Sequence, residues 1–112
     1  MKNVNENNTD VNTNAEENYT PNAKRFAFGQ VVMTRGIVEL MEGIPHVFLM
    51  PYLLRHASGD WGDVCVEDKK ANDEATHNGQ RVLSAYELFG QKIWIITEWD
   101  RSVTTMLFPH EY

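Results

Sequence analysis

The chain has 112 residues, 42% of them hydrophobic, and a formal net charge of −6, which together suggest a single domain with one core. The acidic balance and the lack of a basic run exclude direct binding to a nucleic-acid backbone, which needs a basic patch. A single cysteine, Cys65, excludes an internal disulfide, and no apolar stretch reaches the roughly 20 residues of a membrane span, so we expect a cytoplasmic protein without a membrane partner.

The first 23 residues predict a disordered N-terminal tail. Asn occurs eight times in residues 1–23, and apolar side chains are sparse. Such a segment cannot bury enough apolar surface to offset the entropy lost on ordering. We therefore expect the folded α+β domain to occupy residues 24–112.

One strand and three helices are predicted before residue 80. The apolar run at 26–33 predicts the strand, and Thr34 is placed to cap a helix that ends near Glu42. A second helix is expected over about 47–57, kinked or restarted at a proline, and a third over 67–77. In the second helix, helical spacing puts one set of side chains on the core-facing side: Val47, Met50, Leu53 and Leu54.

Three runs rich in β-branched and aromatic residues predict a C-terminal meander, at 81–89, 92–98 and 102–108. The order β-α-α-α-β-β-β implies an antiparallel sheet with helices on one face. The middle run is apolar on both sides, which predicts that Trp94 is a core residue. The second sheet face would then need a cover, such as a second copy or a partner.

The densest polar cluster lies between Arg55 and Asp63 and contains His56, Asp60 and Trp61. It has three interpretations. The aspartates can accept backbone N–H groups in a glycine-rich turn while Trp61 closes the core edge. The cluster can instead form a binding surface, or His56 can act as a base with one of the aspartates, although no nucleophile and no third metal ligand is visible.

A second polar cluster, Glu98, Asp100 and Arg101, is expected at a hairpin end, either as a turn staple or as part of the same surface. No phosphate-binding loop, dinucleotide fingerprint or zinc motif occurs, so we expect no cofactor and no metal. The candidate binding surface comprises Arg55, His56, Asp60, Trp61, Asp63, Glu98, Asp100 and Arg101.

Several strings within residues 26–112 are specific enough to compare with a known family: Arg55-His56, Ser58–Asp63, Leu83–Tyr86, Lys92–Glu98, Asp100–Thr105 and Pro109–Tyr112. They resemble a family of small proteins from plasmids, prophages and integrative elements. Members are labelled plasmid-related proteins or modification subunits of type I restriction enzymes. A methyltransferase needs a Rossmann-like domain with a glycine-rich cofactor loop, and this chain is too short to hold one.

The mobile-element setting implied by this resemblance favours a non-enzymatic antagonist of host defence. An acidic protein can occupy the basic DNA channel of a CRISPR effector or a restriction nuclease. Two other functions remain open from the sequence. One is a small enzyme that uses His56 with Asp60 or Asp63, and the other is a structural or regulatory homodimer.

Overall fold

The computed structural model describes residues 18–112, in which one strand precedes the helices and three strands follow them. The strands are β1 (Gln30–Met33), β2 (Val82–Leu88), β3 (Gln91–Thr97) and β4 (Val103–Leu107). Between β1 and β2 lie α1 (Arg35–Leu40), a 3-10 helix (His46–Leu49), α2 (Met50–Ala57) and α3 (Val66–Asn78). A second 3-10 helix (Pro109–Glu111) follows β4. None of the helices in residues 18–112 is long and apolar enough to cross a membrane.

The sheet has the strand order β1-β4-β3-β2. Strands β2, β3 and β4 form the antiparallel meander that the sequence predicts, and the α+β class is confirmed. The expectation of a wholly antiparallel sheet is wrong, because β1 pairs with β4 in parallel, with Gln30 opposite Val103. Helices carry the chain from β1 to the far edge of the sheet, and a crossover of this kind is what parallel pairing requires.

The main core lies between the sheet and the first two α-helices. Side chains alternate along each strand, so one set from β2, β3 and β4 faces the helices. On the strands the core residues are Tyr86, Leu88, Ile93, Ile95 and Met106, and on the helical side they are Ile37, Met41, Leu49 and Leu53. Burial of this apolar set is the main stabilising contribution to the fold.

The boundaries of α2 and α3 follow local chemistry. Pro51 lies in the first turn of α2, where a proline is tolerated, and the preceding turn is a separate 3-10 helix, so the expected restart is confirmed. Gly79 ends α3 in the left-handed conformation, with φ 70°, and its N–H donates to the Ala75 carbonyl over 3.0 Å. The sequence predicts this ending correctly.

The N-terminus of α1 is held by a side chain from beyond β4, and the predicted cap by the Thr34 side chain is wrong, because that side chain makes no capping hydrogen bond. The Glu111 carboxylate accepts hydrogen bonds from the Thr34 hydroxyl (2.5 Å), the Gly36 N–H (2.9 Å) and the Phe108 N–H (2.8 Å). These bonds hold the pKa of Glu111 below its usual value, the Thr34 bond most of all. A carboxylate at this position satisfies N–H groups that a helix start leaves unpaired.

The outer sheet face includes Ala85 and Leu107, which are buried, and Trp94, which lies between them. Trp94 lies on this face and is half-buried, so the expectation that it belongs to the core is wrong. Its ring meets Tyr112 edge-on, with centroids 5.7 Å apart, and the Arg81 guanidinium lies 5.5 Å from the Tyr112 ring centroid. Trp94 is covered by residues that follow β4 rather than by a helix.

Residues 18–23, which the sequence assigns to the tail, contact α3. The Tyr19 hydroxyl donates to the buried Asp73 carboxylate over 2.6 Å, and the Asn22 N–H donates to the same oxygen over 3.0 Å. Residues 1–17 lie outside the described residues, and their expected disorder stays a prediction.

Two truncations test where the domain begins. Deleting residues 1–17 should leave the melting temperature within a few degrees, because their composition offers little to bury. Deleting residues 1–23 should lower it by several degrees more, since Asp73 loses two of its hydrogen bonds. Thermal melts of the two truncations against the full chain measure this, and equal melting temperatures would show that the Asp73 contacts contribute nothing.

Candidate functional site

The predicted polar cluster contains a loop that extends the sheet at the free edge of β2. The Asp63 N–H donates to the Ala85 carbonyl over 2.7 Å, and the Ala85 N–H donates to the Trp61 carbonyl over 3.0 Å. Between them, Gly62 has φ 75°, and a Cβ there would clash with the Ala85 carbonyl oxygen. The position therefore requires glycine, and the loop is a fixed part of the sheet edge.

Trp61 points inward from this loop and is 2% exposed. Its indole N–H donates to Asp73 over 2.8 Å, and its ring stacks on Phe26 with centroids 6.1 Å apart. It forms a second small core with Ala75 and Val82. Trp61 therefore closes the core edge, and its ring is not part of the surface that the neighbouring aspartates present.

His56 is fully buried between α2 and the sheet. Its Nδ1 lies 2.6 Å from the Ser84 Oγ, and its Nε2 lies 2.8 Å from the Thr97 Oγ1. The chain of contacts continues from Thr97 to Thr104 over 2.6 Å and from Thr104 to the Phe28 carbonyl over 2.6 Å. Both ring nitrogens are therefore engaged, and the ring is closed off from solvent.

The end of this chain, together with the neutral state of the imidazole, fixes the direction of every bond in it. A carbonyl only accepts, so the Thr104 hydroxyl donates to Phe28. Thr97 must then donate to Thr104, which leaves its oxygen to accept the proton on the Nε2 of His56. Nδ1 carries no proton and accepts from Ser84. The neutral Nε2–H tautomer satisfies all four links without an unpaired donor.

Burial, and to a lesser extent the nearby positive charge of Arg101, lowers the pKa of His56 to about 3. The imidazole is therefore neutral in the folded protein at any ordinary pH. A general base must reach the proton that it removes, and both ring nitrogens of His56 are already bonded to Ser84 and Thr97 inside the core. The geometry makes it a structural residue.

Arg55 and Asp60 lie on the exposed side of the same segment. The Arg55 Nε donates to the Asp60 carboxylate over 2.7 Å, and its guanidinium lies 4.5 Å from the Tyr86 ring centroid. The hydrogen bond to Arg55, more than any other contact, holds the pKa of Asp60 below its usual value. Asp60 is ionised and fixed in place.

Asp63 is the most open charge of the loop, with its nearest cationic atom, the Lys92 Nζ, 3.8 Å away. Shallow depressions flank Asp60 on both sides, one of about 350 Å³ and one of about 370 Å³. Arg55, Asp60 and Asp63 together are called the Asp60 surface below. It presents two exposed carboxylates and one guanidinium to solvent, and a partner can contact all three.

The second predicted cluster is a turn staple. Arg101 has φ 62° and donates from its guanidinium to the carbonyls of Ala75 (3.0 Å), Gln80 (2.7 Å) and Glu98 (3.0 Å), which joins the end of α3 to the β3–β4 turn. Asp100 accepts from the N–H and the hydroxyl of Ser102 within the turn. In the described part of the chain, no ion pair joins this turn to the Asp60 surface.

The sequence did not predict the roles of Ser84, Thr97, Thr104 and Asp73. The first three form the hydrogen bonds of the His56 network, and Asp73 accepts the hydrogen bond of the Trp61 indole. A signal for the first two was present, since both occupy inward positions of strands whose other inward residues are apolar. A polar residue at such a position needs a buried partner. A lone histidine on the core side of a helix supplies one.

Comparisons with known proteins do not indicate a function for this chain. Among residues 18–112, no group of three or more His, Cys, Asp or Glu side chains is placed to hold a metal ion. In comparisons with protein-family models, curated proteins and solved structures, nothing matches this chain. The resemblance to mobile-element proteins stays a prediction, and function has to be argued from geometry.

Acidification should destabilise the fold through His56. The unfolded chain takes up a proton at the ordinary pKa of 6.5, whereas the folded chain does so only near 3. Between these values the unfolded state binds more protons, so stability that is fully present above pH 6.5 is lost as the pH falls. From pH 6.5 to about 5 the free energy of unfolding should drop by about 2 kcal/mol from this group.

The matched variant is His56→Gln, because an amide can donate and accept one hydrogen bond each but does not titrate. Denaturant unfolding at about pH 7 and pH 5 should show a smaller drop for the variant than for the wild type. An unchanged drop in the variant would assign the pH dependence to other groups.

Proposed function

We propose that this chain is a non-enzymatic protein-binding module and that the Asp60 surface is part of its contact region. The observation that carries the proposal is a contrast within one segment. The imidazole of His56 is enclosed with both ring nitrogens bonded, whereas the carboxylates of Asp60 and Asp63 are exposed on a fixed loop. This arrangement suits recognition by the loop and keeps the imidazole away from a substrate.

The charge of the chain supports a basic partner. The chain has 16 acidic and 10 basic side chains. Residues 1–17 hold four of the acidic and one of the basic side chains, so half of the net charge of −6 belongs to that segment and half to the described domain. Complementary charge steers association and raises the on-rate more than the affinity. An acidic protein of this kind fits a partner that itself binds a polyanion.

The proposed partner is a host-defence nuclease, either a CRISPR effector or a restriction enzyme, met in the cytoplasm. The resemblance to proteins of plasmids, prophages and integrative elements supports this choice, because such elements gain when host cleavage is blocked. The DNA channel of a nuclease is basic, and an acidic surface can compete for it. The proposal therefore describes an inhibitor without turnover.

The alternative enzyme that uses His56 with Asp60 or Asp63 has little support from the geometry. The imidazole faces Ser84 and Thr97 on the core side, while the Asp60 carboxylate pairs with Arg55 on the solvent side. A homodimer has one supporting observation, the partial exposure of Trp94 on the outer sheet face. Light scattering of the purified chain distinguishes a dimer from a monomeric module.

The double substitution Asp60→Asn and Asp63→Asn removes two charges and keeps the side-chain shape. We expect inhibition of DNA cleavage to weaken about tenfold at about 50 mM salt, with a smaller difference at about 300 mM because of screening. The fold should survive, since the Arg55–Asp60 pair is exposed and such pairs contribute about 0.2–1 kcal/mol. Cleavage assays with a panel of CRISPR effectors and restriction nucleases measure the effect.

The matched control is Glu67→Gln with Glu74→Gln, two exposed charges on α3. Equal losses in both variants would mean that net charge matters and the Asp60 surface does not. No inhibition by the wild type across the panel would remove the anti-defence proposal. A product that forms by turnover and disappears in His56→Gln would establish the enzyme instead.

A further inference from the structure

A shallow groove lies between α1 and the chain that leads into the first 3-10 helix. Its volume is about 620 Å³, and Val38, Glu39 and Glu42 line one side while Ile44 and His46 line the other. The groove is open to solvent along its length. It is separate from the Asp60 surface, because it lies at the other end of α2.

Apolar side chains are exposed in this groove and in the residues that follow it along the chain. Val38 is 50% exposed although Ile37 and Met41 on the same helix are buried. Immediately after His46, Val47 is 66% exposed and Phe48 is 56% exposed. A surface helix ordinarily turns polar residues outward, and apolar residues grouped at a charged rim indicate a place where another protein binds.

The rim of the groove is acidic. Glu39 forms one ion pair, with the Arg35 Nε at 3.5 Å, and both side chains are mostly exposed, so the pair screens little of its charge. Glu42 forms no ion pair within the described residues. No lysine or arginine is among the residues that line the groove. An occupant therefore meets apolar surface flanked by two glutamates, one paired with Arg35 at the surface and one without an ion pair in the described residues.

We propose that this groove binds a basic amphipathic segment of a partner protein. An apolar side chain of the segment packs against Val38 and Phe48, and its lysine or arginine side chains reach Glu39 and Glu42. An amphipathic helix laid in a groove is a common mode of recognition, with apolar anchors at helical spacing. The charged rim selects for basic segments against acidic ones.

The negative charge of the groove also argues against three other possible occupants. Residues 1–17 of the chain hold four acidic side chains and one lysine, so the glutamates would repel them. A second copy docked across a two-fold axis at the groove would bring four glutamates together, with only the Arg35 of each copy to offset them. An anionic lipid surface would meet the same repulsion. A cationic protein segment is the occupant that the charges favour.

The probe is a synthetic helical peptide with leucine at positions i, i+3, i+4 and i+7 and lysine elsewhere. Its affinity for the full chain is measured by fluorescence anisotropy, and the contact site by NMR shifts of the labelled chain. We expect the largest shifts at Val38, Glu42 and Phe48. A peptide with glutamate in place of lysine should not bind.

Two variants test the two halves of the proposal. Val38→Ser with Phe48→Ser removes the apolar contacts, and Glu39→Gln with Glu42→Gln removes the charges. Each should weaken peptide binding about tenfold. Matched controls should leave binding within about twofold: Phe89→Ser, which changes a side chain 55% exposed elsewhere, and Glu67→Gln with Glu74→Gln on α3.

Several results would overturn the proposal. They are no peptide binding, equal losses in groove and control variants, or binding of the glutamate peptide. A dimer of the free chain that dissociates in the Phe48 variant would assign the groove to a second copy. The Asp60→Asn and Asp63→Asn variant should bind the peptide normally. Loss there would place the peptide on the Asp60 surface instead, so this inference and the proposed function can fail separately.

Discussion

The hydrogen bonds of His56 join more parts of this fold than any other polar contact in the described residues. They run from β2 through the imidazole on α2 to Thr97 at the end of β3, then to Thr104 on β4, and they end at the Phe28 carbonyl just before β1. A buried polar network stabilises only when every member is satisfied, and here each donor has one acceptor. The packing of α2 on the sheet therefore permits one register, and a shift by one residue would leave several buried polar groups unpaired.

A second buried group, Asp73, performs a similar role at the sheet edge. Its carboxylate accepts from Trp61, Tyr19 and the Asn22 N–H, so it joins the loop before α3 to the segment before β1. The loop that carries Asp60 and Asp63 is consequently held by its buried tryptophan and by its bridge to β2. Charges presented on a fixed loop lose little conformational entropy when a partner binds, which helps a small contact surface to reach useful affinity.

The sequence predicts most elements, because strands and caps depend on near neighbours, as the ending of α3 at Gly79 shows. The sequence does not predict contacts between residues that lie far apart in the chain. The partners of His56 lie 28 and 41 residues away, and no local pattern distinguishes a buried imidazole from an exposed one.

The core-facing residues of the second predicted helix were also predicted incorrectly, for a different reason. Val47, Met50 and Leu54 were expected on the core side with Leu53, yet the structure exposes these three and buries Leu49. The chain begins this helical segment with 3-10 geometry, which has three residues per turn, and this rotates the early positions away from the face that a continuous α-helix would give them. Val47, which follows the groove along the chain, was therefore predicted to face the core.

The parallel pairing of β1 with β4 has a consequence for synthesis in the cell. During translation β1 leaves the ribosome about 70 residues before the strand it pairs with, and Glu111, which holds the start of α1, follows later still. Neither β1 nor the N-terminus of α1 can reach its final contacts while the ribosome still holds the later strands. Folding of this domain is thus completed after synthesis of β4, and until then the apolar strand residues of the nascent chain are exposed to the chaperones that meet it.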